Sequence, residues 1–140
     1  MKFTYVPTIR AALALHDGAP EKAVEALRAA EPYELGMSGI AFFGCFGGLY
    51  PAYSRAEAYL MLHRWREAEL EFQKILDHPG IVIADPIGAL ARLQLGRAYA
   101  LSGDKARAKA AYEDFLELWK NADPDIPILK EAQAEYARLR

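Results

Sequence analysis

The chain has 140 residues, of which 53% are apolar and 26% are charged, and its formal net charge at pH 7 is -2. This length and composition are those of one globular domain with its own apolar core, so a single domain is predicted over residues 1–140. The slightly acidic balance lacks the excess of basic residues that phosphate binding requires, so no nucleic-acid partner is expected.

The first predicted elements form a helix pair at about residues 7–30. Pro7 suits a first helical turn, and Gly18 is a plausible stop for that helix. Pro20 opens a second helix with an apolar stripe, and Pro32 closes it.

A Gly- and Phe-rich loop is predicted at residues 31–49. It carries five glycines between Gly36 and Gly48, and none is followed by the Lys and Ser or Thr of a phosphate-binding loop. Cys45 has no neighbouring base in the sequence, so we expect a loop or buried thiol rather than a nucleophile. A loop of this length in a compact domain is functional, flexible, or packed over an exposed face.

A second helix pair is predicted at about residues 50–79. Pro51 marks its start, and its second helix begins at about Trp65. The segment 81–86 exceeds the usual repeat length and is predicted to run extended until Asp85 caps the next helix.

The third predicted pair covers about residues 86–120. Gly103 supplies a helix stop and Asp104 a fresh N-cap between its two helices. A last helix over about 127–140, opened by Pro127, is positioned to cover the end of the apolar core.

Two stretches of the chain, offset by forty residues, carry the same helix-pair pattern. Small residues stand where backbones approach, and rings stand where gaps must be filled. The matched positions pair Ala56 with Gly96, Ala58 with Ala98, Tyr59 with Tyr99, Ala68 with Ala108, Phe72 with Tyr112, Ile75 with Phe115, and Leu76 with Leu116. The first pair fits this register at Ala11, Ala14, Gly18, Ala23 and Leu27, which fall on Ala56, Tyr59, His63, Ala68 and Phe72. Stacked helix pairs with one continuous interior are therefore predicted.

This pattern resembles the tetratricopeptide repeat. The resemblance rests on Leu95, Gly96, Tyr99, Gly103, Ala108 and Tyr112, and again on Ala56, Tyr59, Trp65, Ala68 and Phe72. It implies an all-α, right-handed α-solenoid of about three helix pairs plus a C-terminal capping helix. The chain departs from the family pattern at Ala52 and Arg92, where a Trp is expected, and in its stretched period.

Residues 72–139 also resemble the C-terminal repeat tails of bacterial eukaryotic-like serine/threonine kinases and winged-helix regulators. That resemblance implies the scaffolding or sensing part of a bacterial signalling protein. The kinase motifs themselves, a Gly-rich loop with a strand lysine, HRD and DFG, are missing from the sequence, so no catalysis is expected.

In the tetratricopeptide family, the first helices of successive pairs line a groove that holds an extended peptide or a partner helix. The resemblance places in the groove Tyr50, Tyr53, Glu57, Leu60 and Met61 from the second pair, and Leu90, Leu93, Arg97, Ala100 and Leu101 from the third. The first pair would add Tyr5, Thr8, Ala12, Leu15 and His16. Such a groove is mostly apolar and suits an apolar or aromatic anchor. Glu57 and Arg97 are expected to lie within reach of an exposed ion pair.

The expected function is therefore a non-catalytic module that binds a protein or peptide. The alternative is self-association, in which the groove is filled by the chain's own loop or by a second copy, giving a homodimer.

His16, His63 and His78 have no second His or Cys at ligand spacing, so neither a metal nor another cofactor is expected. With no apolar run of roughly 20 residues and no signal peptide, we expect no membrane insertion and a cytoplasmic location; the alternative is a longer parent protein that is anchored in a membrane.

Overall fold

The computed structural model describes residues 3–36 and 48–139, and every regular element within these ranges is helical. The helices are α1 (Tyr5–His16), α2 (Pro20–Leu27), α3 (Tyr50–Met61), α4 (Trp65–Asp77), α5 (Pro79–Val82), α6 (Ile87–Ser102), α7 (Lys105–Leu118) and α8 (Pro127–Ala137). A 3-10 turn, Glu31–Tyr33, follows α2. The predicted all-α class is confirmed. The predictions for residues 37–47, including Cys45, lie outside the described residues.

Several helix ends are set by the local chemistry of the sequence. Pro20 and Pro127 are the first residues of α2 and α8, where a missing N–H is no loss. Gly103 closes α6 in a left-handed conformation with φ 88°, which glycine adopts without steric penalty. The Asp104 carboxylate then accepts a 3.0 Å hydrogen bond from the Arg107 N–H and caps α7. The predicted stop and N-cap are both confirmed.

The same left-handed turn closes the first helix of each pair. Gly18, His63 and Gly103, which share one position in the predicted register, have φ values of 69°, 57° and 88°. In each turn an N–H donates to a carbonyl five residues earlier: Ala19 to Ala14 at 2.8 Å, Arg64 to Tyr59 at 2.9 Å, and Asp104 to Tyr99 at 2.9 Å. This hydrogen bond satisfies a carbonyl that the helix end would otherwise leave without a donor. The three pairs therefore turn in the same way.

Successive helices pack against their neighbours in the chain. Within pairs, α1 packs on α2, α3 on α4, and α6 on α7; between pairs, α2 contacts α3, α4 contacts α6, and α7 contacts α8. Three of the five register positions that all three pairs share are buried in each pair: Ala11, Ala56 and Gly96; Ala23, Ala68 and Ala108; Leu27, Phe72 and Tyr112. The repeat pattern thus describes the side chains that fill the space between helices.

Gly96 shows why one of these positions must be small. A Cβ at this position would lie 3.1 Å from the Tyr112 ring, closer than ordinary van der Waals contact. The ring of Tyr112 is 2% exposed and fills the space beside α6. Close approach of α6 and α7 therefore depends on the missing side chain, as the pairing of small and aromatic positions predicted.

The connection between α4 and α6 differs from its prediction. Pro79–Val82 forms the helical turn α5, so the expectation that the segment 81–86 runs extended was wrong. The turn brings Val82 into the core, where it is 7% exposed, and this burial favours the helical over the extended form. The Asp85 carboxylate accepts from the Ile87 N–H at 3.2 Å, but the N-cap of α6 is Pro86, so the helix begins one residue later than predicted.

A buried ionic cluster joins the first two helix pairs, and it was not predicted from the sequence. Arg55 in α3 is 1% exposed, and its guanidinium binds the carboxylate of Glu34, which is 2% exposed. It also donates to Glu71 at 3.0 Å and to the Leu27 carbonyl at 3.2 Å. Lys74 approaches Glu71 at 2.9 Å. Two elements on either side of α3 are thereby fixed to it.

Candidate functional site

The candidate groove runs along α3 and α6, which contact each other side by side. One hydrogen bond joins the two helices across this surface, and a second joins α3 to Asp85, just before α6. The Gln94 side-chain amide donates to the Tyr53 hydroxyl at 3.4 Å, and the Tyr50 hydroxyl donates to the Asp85 carboxylate at 2.8 Å. Residues of the second and third helix pairs therefore share one surface.

The predicted groove residues differ in how far solvent reaches them. Those that are exposed in the second and third pairs are Tyr50, Met61 and Leu101. Those that are half-buried are Tyr53, Glu57, Leu60, Leu90, Arg97 and Ala100. In α1, Tyr5, Ala12 and His16 are exposed, and Thr8 and Leu15 are half-buried. Only Leu93 is fully enclosed among the predicted residues.

Leu93 belongs to the apolar core, so its assignment to an open groove was wrong. It is 0% exposed and lies in a cluster with Tyr112 and Phe115 of α7 and Leu129 of α8. Because α8 covers this side of α6, the face that carries Leu93 is no longer free. The neighbouring Gln94 takes a place on the groove surface instead. Its amide within an otherwise apolar run is the sequence signal that could have identified this face.

The predicted pairing of Glu57 with Arg97 is replaced by a pairing with α8. The Arg97 guanidinium binds both oxygens of Glu135, at 2.9 and 2.8 Å, and approaches Glu131 at 3.4 Å. Tyr112 donates to the same Glu135 carboxylate at 2.7 Å. Burial alone would raise the pKa of Glu135, but the hydrogen bonds from Arg97 and Tyr112 hold it below its ordinary value. Arg97 therefore fastens α8 to α6.

Glu57 is the electrostatically distinctive residue of this surface. Desolvation raises the pKa of its carboxyl group above the ordinary value, and only a hydrogen bond from Tyr53 acts against that shift. Desolvation also raises the pKa of Tyr53 to about 12. The Tyr53 ring packs edge-on against Phe72, with ring centroids 5.6 Å apart, so its position is set by the core.

Replacing Glu57 by glutamine is expected to increase the stability of the protein at pH 7, because the amide keeps the shape of the side chain without a half-buried charge. The folded-state pKa is raised, so protonation of Glu57 stabilises the wild type below its unfolded pKa near 4.5. This contribution is lost as the pH rises through the folded pKa. The advantage of Glu57→Gln should thus grow from about pH 4.5 upward and then level off.

Urea unfolding of both proteins between about pH 4 and 7 measures this difference. The matched control is Asp114→Asn, which neutralises an exposed carboxylate of α7 and should change stability by no more than about 0.5 kcal/mol. An advantage of Glu57→Gln that is the same at every pH would contradict the raised pKa.

Within residues 3–36 and 48–139, no three His, Cys, Asp or Glu side chains are grouped so that they could hold a metal ion. None of the helices described there is long and apolar enough to cross a bilayer. No protein-family model matches the chain, and a search of curated proteins found no match.

Proposed function

We propose that this protein is a non-catalytic interaction module of the tetratricopeptide type, a right-handed α-solenoid that binds a peptide or partner helix. The repeated left-handed closure at Gly18, His63 and Gly103 supports the solenoid, since each pair turns in the same way. Packing of each pair on the next, with α8 over the last one, is the arrangement that such arrays use to share one core.

The proposed binding function is supported most by a strip on two adjacent helices, formed by Tyr53, Glu57 and Gln94. These side chains are half-buried, and Tyr53 and Gln94 are hydrogen-bonded to each other. Exposed Tyr50 and Met61 lie at opposite ends of α3. An ordered polar strip with aromatic and Met side chains is the composition that protein interfaces favour.

The charge of this surface specifies the partner further. Glu57 contributes a carboxylate to this surface, whereas the carboxylates of Glu131 and Glu135 are offset by Arg97 and by the nearby Arg138. Arg97 is already engaged by the two carboxylates of α8, whereas Glu57 has no cationic partner among the described residues. A segment with a basic side chain beside an apolar anchor would complement this surface.

The resemblance of residues 72–139 to the repeat tails of bacterial signalling proteins supports a role in scaffolding or sensing. In that role the module would hold a second protein close to a signalling enzyme. Its affinity for that second protein would come from the groove alone. The peptide it binds would then be a segment of that second protein.

Replacing Met61 by lysine is expected to weaken peptide binding at least about tenfold, because it places a charge in the apolar part of the surface. Ligands are first selected from a displayed library of random peptides, and their affinities are then measured by calorimetry. Met61 is 47% exposed, so the substitution should leave the fold intact. Glu57→Gln should weaken the binding of basic peptides in the same assay.

Leu70→Lys is the matched control. Leu70 lies on α4, away from the groove, and is 61% exposed, so this variant introduces the same charge at a site that the proposal does not use. Unchanged affinity of both Met61→Lys and Glu57→Gln would exclude the α3–α6 surface as the binding site.

Self-association is the second candidate, and an exposed apolar stripe on α1 favours it. Val6, Ile9 and Leu13 are 41%, 60% and 60% exposed, and their spacing places them on one side of the helix. The opposite end of the array is covered by α8, whereas no described helix covers this stripe. The other form of this alternative, a groove filled by the loop at 31–49, depends on residues that lie largely outside the described ranges.

If two copies join through α1, the protein should sediment as a dimer at high concentration, and Ile9→Lys combined with Leu13→Lys should restore the monomer. Sedimentation equilibrium between about 5 and 500 µM measures this, with Leu70→Lys as the control for an added surface charge. A wild-type protein that remains monomeric over the whole range excludes this candidate.

A further inference from the structure

A cleft of about 510 Å³ lies on the other side of α6 from the groove, bordered by α4, α5 and the end of α7. We name it the Arg92 cleft. Its apolar walls include Leu76, Ile83, Leu118 and Trp119. Its volume is within the range of small-molecule sites, which are mostly apolar with a few well-placed polar groups.

Arg92 lines this cleft, and the repeat pattern predicts that its position on α6 faces the core. The forty-residue offset matches it to Ala52, which is 0% exposed. In the second pair the position is filled by a small apolar side chain, whereas in the third pair it carries a half-buried guanidinium. A charge at a core-facing position is expensive to desolvate unless it has a partner.

The guanidinium of Arg92 has few partners within the chain. It donates to the Gly88 carbonyl at 2.8 Å, on its own helix. Within the described ranges, no carboxylate lies close enough to Arg92 to form an ion pair, although the guanidinium offers several further N–H donors. The donors that remain have no partner within the described ranges, and Arg92 lines both this cleft and a second one that contains Asp114.

Asp85 is the one carboxylate on the cleft lining, and it is already engaged. Its Oδ1 accepts from the Tyr50 hydroxyl at 2.8 Å and from the Ile87 N–H at 3.2 Å. Asp85 is therefore held at the start of α6 and does not neutralise Arg92. Its negative charge also disfavours a dianion such as a phosphate ester, which would need a second cation.

We propose that the Arg92 cleft binds a small amphipathic carboxylate, such as a medium-chain fatty acid. The carboxylate pairs with the Arg92 guanidinium, whose planar fork matches its two oxygens, and the aliphatic chain lies against Leu118 and Trp119. A peptide fits this cleft less well, because its backbone N–H and C=O groups would meet apolar walls that cannot satisfy them.

Trp119 provides a direct readout of this site. The chain has two tryptophans, so a Trp65→Phe background leaves Trp119 as the sole indole. In that background, titration with decanoate up to about 1 mM should shift the Trp119 emission and saturate. Decanol, which has the same chain without the charge, should bind at least about tenfold more weakly, because a charge-assisted hydrogen bond is lost.

Arg92→Met in the same background should also weaken decanoate binding at least about tenfold, whereas Arg66→Met, on the exposed surface of α4, should not change it. In the same background, Ala84→Phe fills the cleft from an exposed position on its lining without adding an indole, and it should abolish the titration while leaving the far-UV circular dichroism unchanged. This second variant tests the site even if Arg92→Met fails to fold.

The proposal is overturned if Trp119 emission does not respond to decanoate, if decanol binds as tightly, or if Arg92→Met or a folded Ala84→Phe variant binds decanoate like the parent protein. Tighter binding of an acetylated pentapeptide with a C-terminal leucine would overturn it in favour of a peptide site. None of these outcomes depends on peptide binding at the α3–α6 groove.

Discussion

Replacing Phe72 by alanine is expected to lower the free energy of unfolding by about 3 to 5 kcal/mol, because it removes a ring from the centre of the core and leaves a cavity. Phe72 is 0% exposed and lies in the cluster that α3, α4 and α6 share. Its neighbours include Tyr53, whose ring contacts it edge-on. Urea unfolding followed by circular dichroism measures the loss.

Leu70→Ala is the control for this substitution, on the same helix and 61% exposed. Its effect should stay within about 0.5 kcal/mol, as for other surface positions. If Phe72→Ala lowers the free energy of unfolding no more than Leu70→Ala does, the helix pairs do not share the buried interior that the repeat pattern describes.

Replacing Arg55 by methionine is expected to destabilise the protein by about 3 to 5 kcal/mol, because it leaves the buried carboxylate of Glu34 without its main partner. Glu34 is 2% exposed, and Lys74, at 3.4 Å, would be the cation that remains near it. The Leu27 carbonyl would also lose its donor from Arg55. Chemical unfolding at pH 7 gives the size of the effect.

Two further variants separate charge from packing. Arg55→Met combined with Glu34→Gln should recover part of the loss, because no buried carboxylate then remains at residue 34. Arg64→Met, which breaks the exposed pair with Glu67, should change stability little. A loss for Arg55→Met no larger than for Arg64→Met would show that the cluster contributes no stability.

The parts of the fold that were predictable from the sequence are those that short-range chemistry determines. Gly103 ends a helix because it adopts a positive φ, and Asp104 caps the next because its carboxylate reaches an N–H three residues on. The register of small and aromatic positions, such as Gly96 with Tyr112, was predictable because both lie within one helix pair.

Long-range polar contacts were not predictable in the same way. Arg55 meets a carboxylate 21 residues earlier, and Arg97 meets one 38 residues later, so no local spacing identifies either partner. The predicted pairing of Arg97 with Glu57 considered only the helices that line the groove. The carboxylates of α8 are closer to Arg97, and they took the place of Glu57.

The groove face of α6 was misjudged at Leu93 for a related reason. The helix contacts α4 and α7, and the Arg97 ion pair joins it to α8, so apolar side chains occur on most of its circumference. The tetratricopeptide register alone placed Leu93 in the groove, and an error of one residue in that register exchanges Leu93 for Gln94. On α3, Tyr53 and Glu57 are half-buried, and their place in a binding groove stays a prediction.

Binding of a peptide along the shared surface of α3 and α6 is tested most directly by NMR. Chemical-shift mapping with a library-selected peptide identifies the residues that the peptide contacts. We predict that the backbone signals of Tyr53, Glu57 and Gln94 shift the most, in a saturable manner. Failure to select any peptide, or shifts confined to the α1 stripe or the Arg92 cleft while these three signals stay unchanged, would contradict the claim.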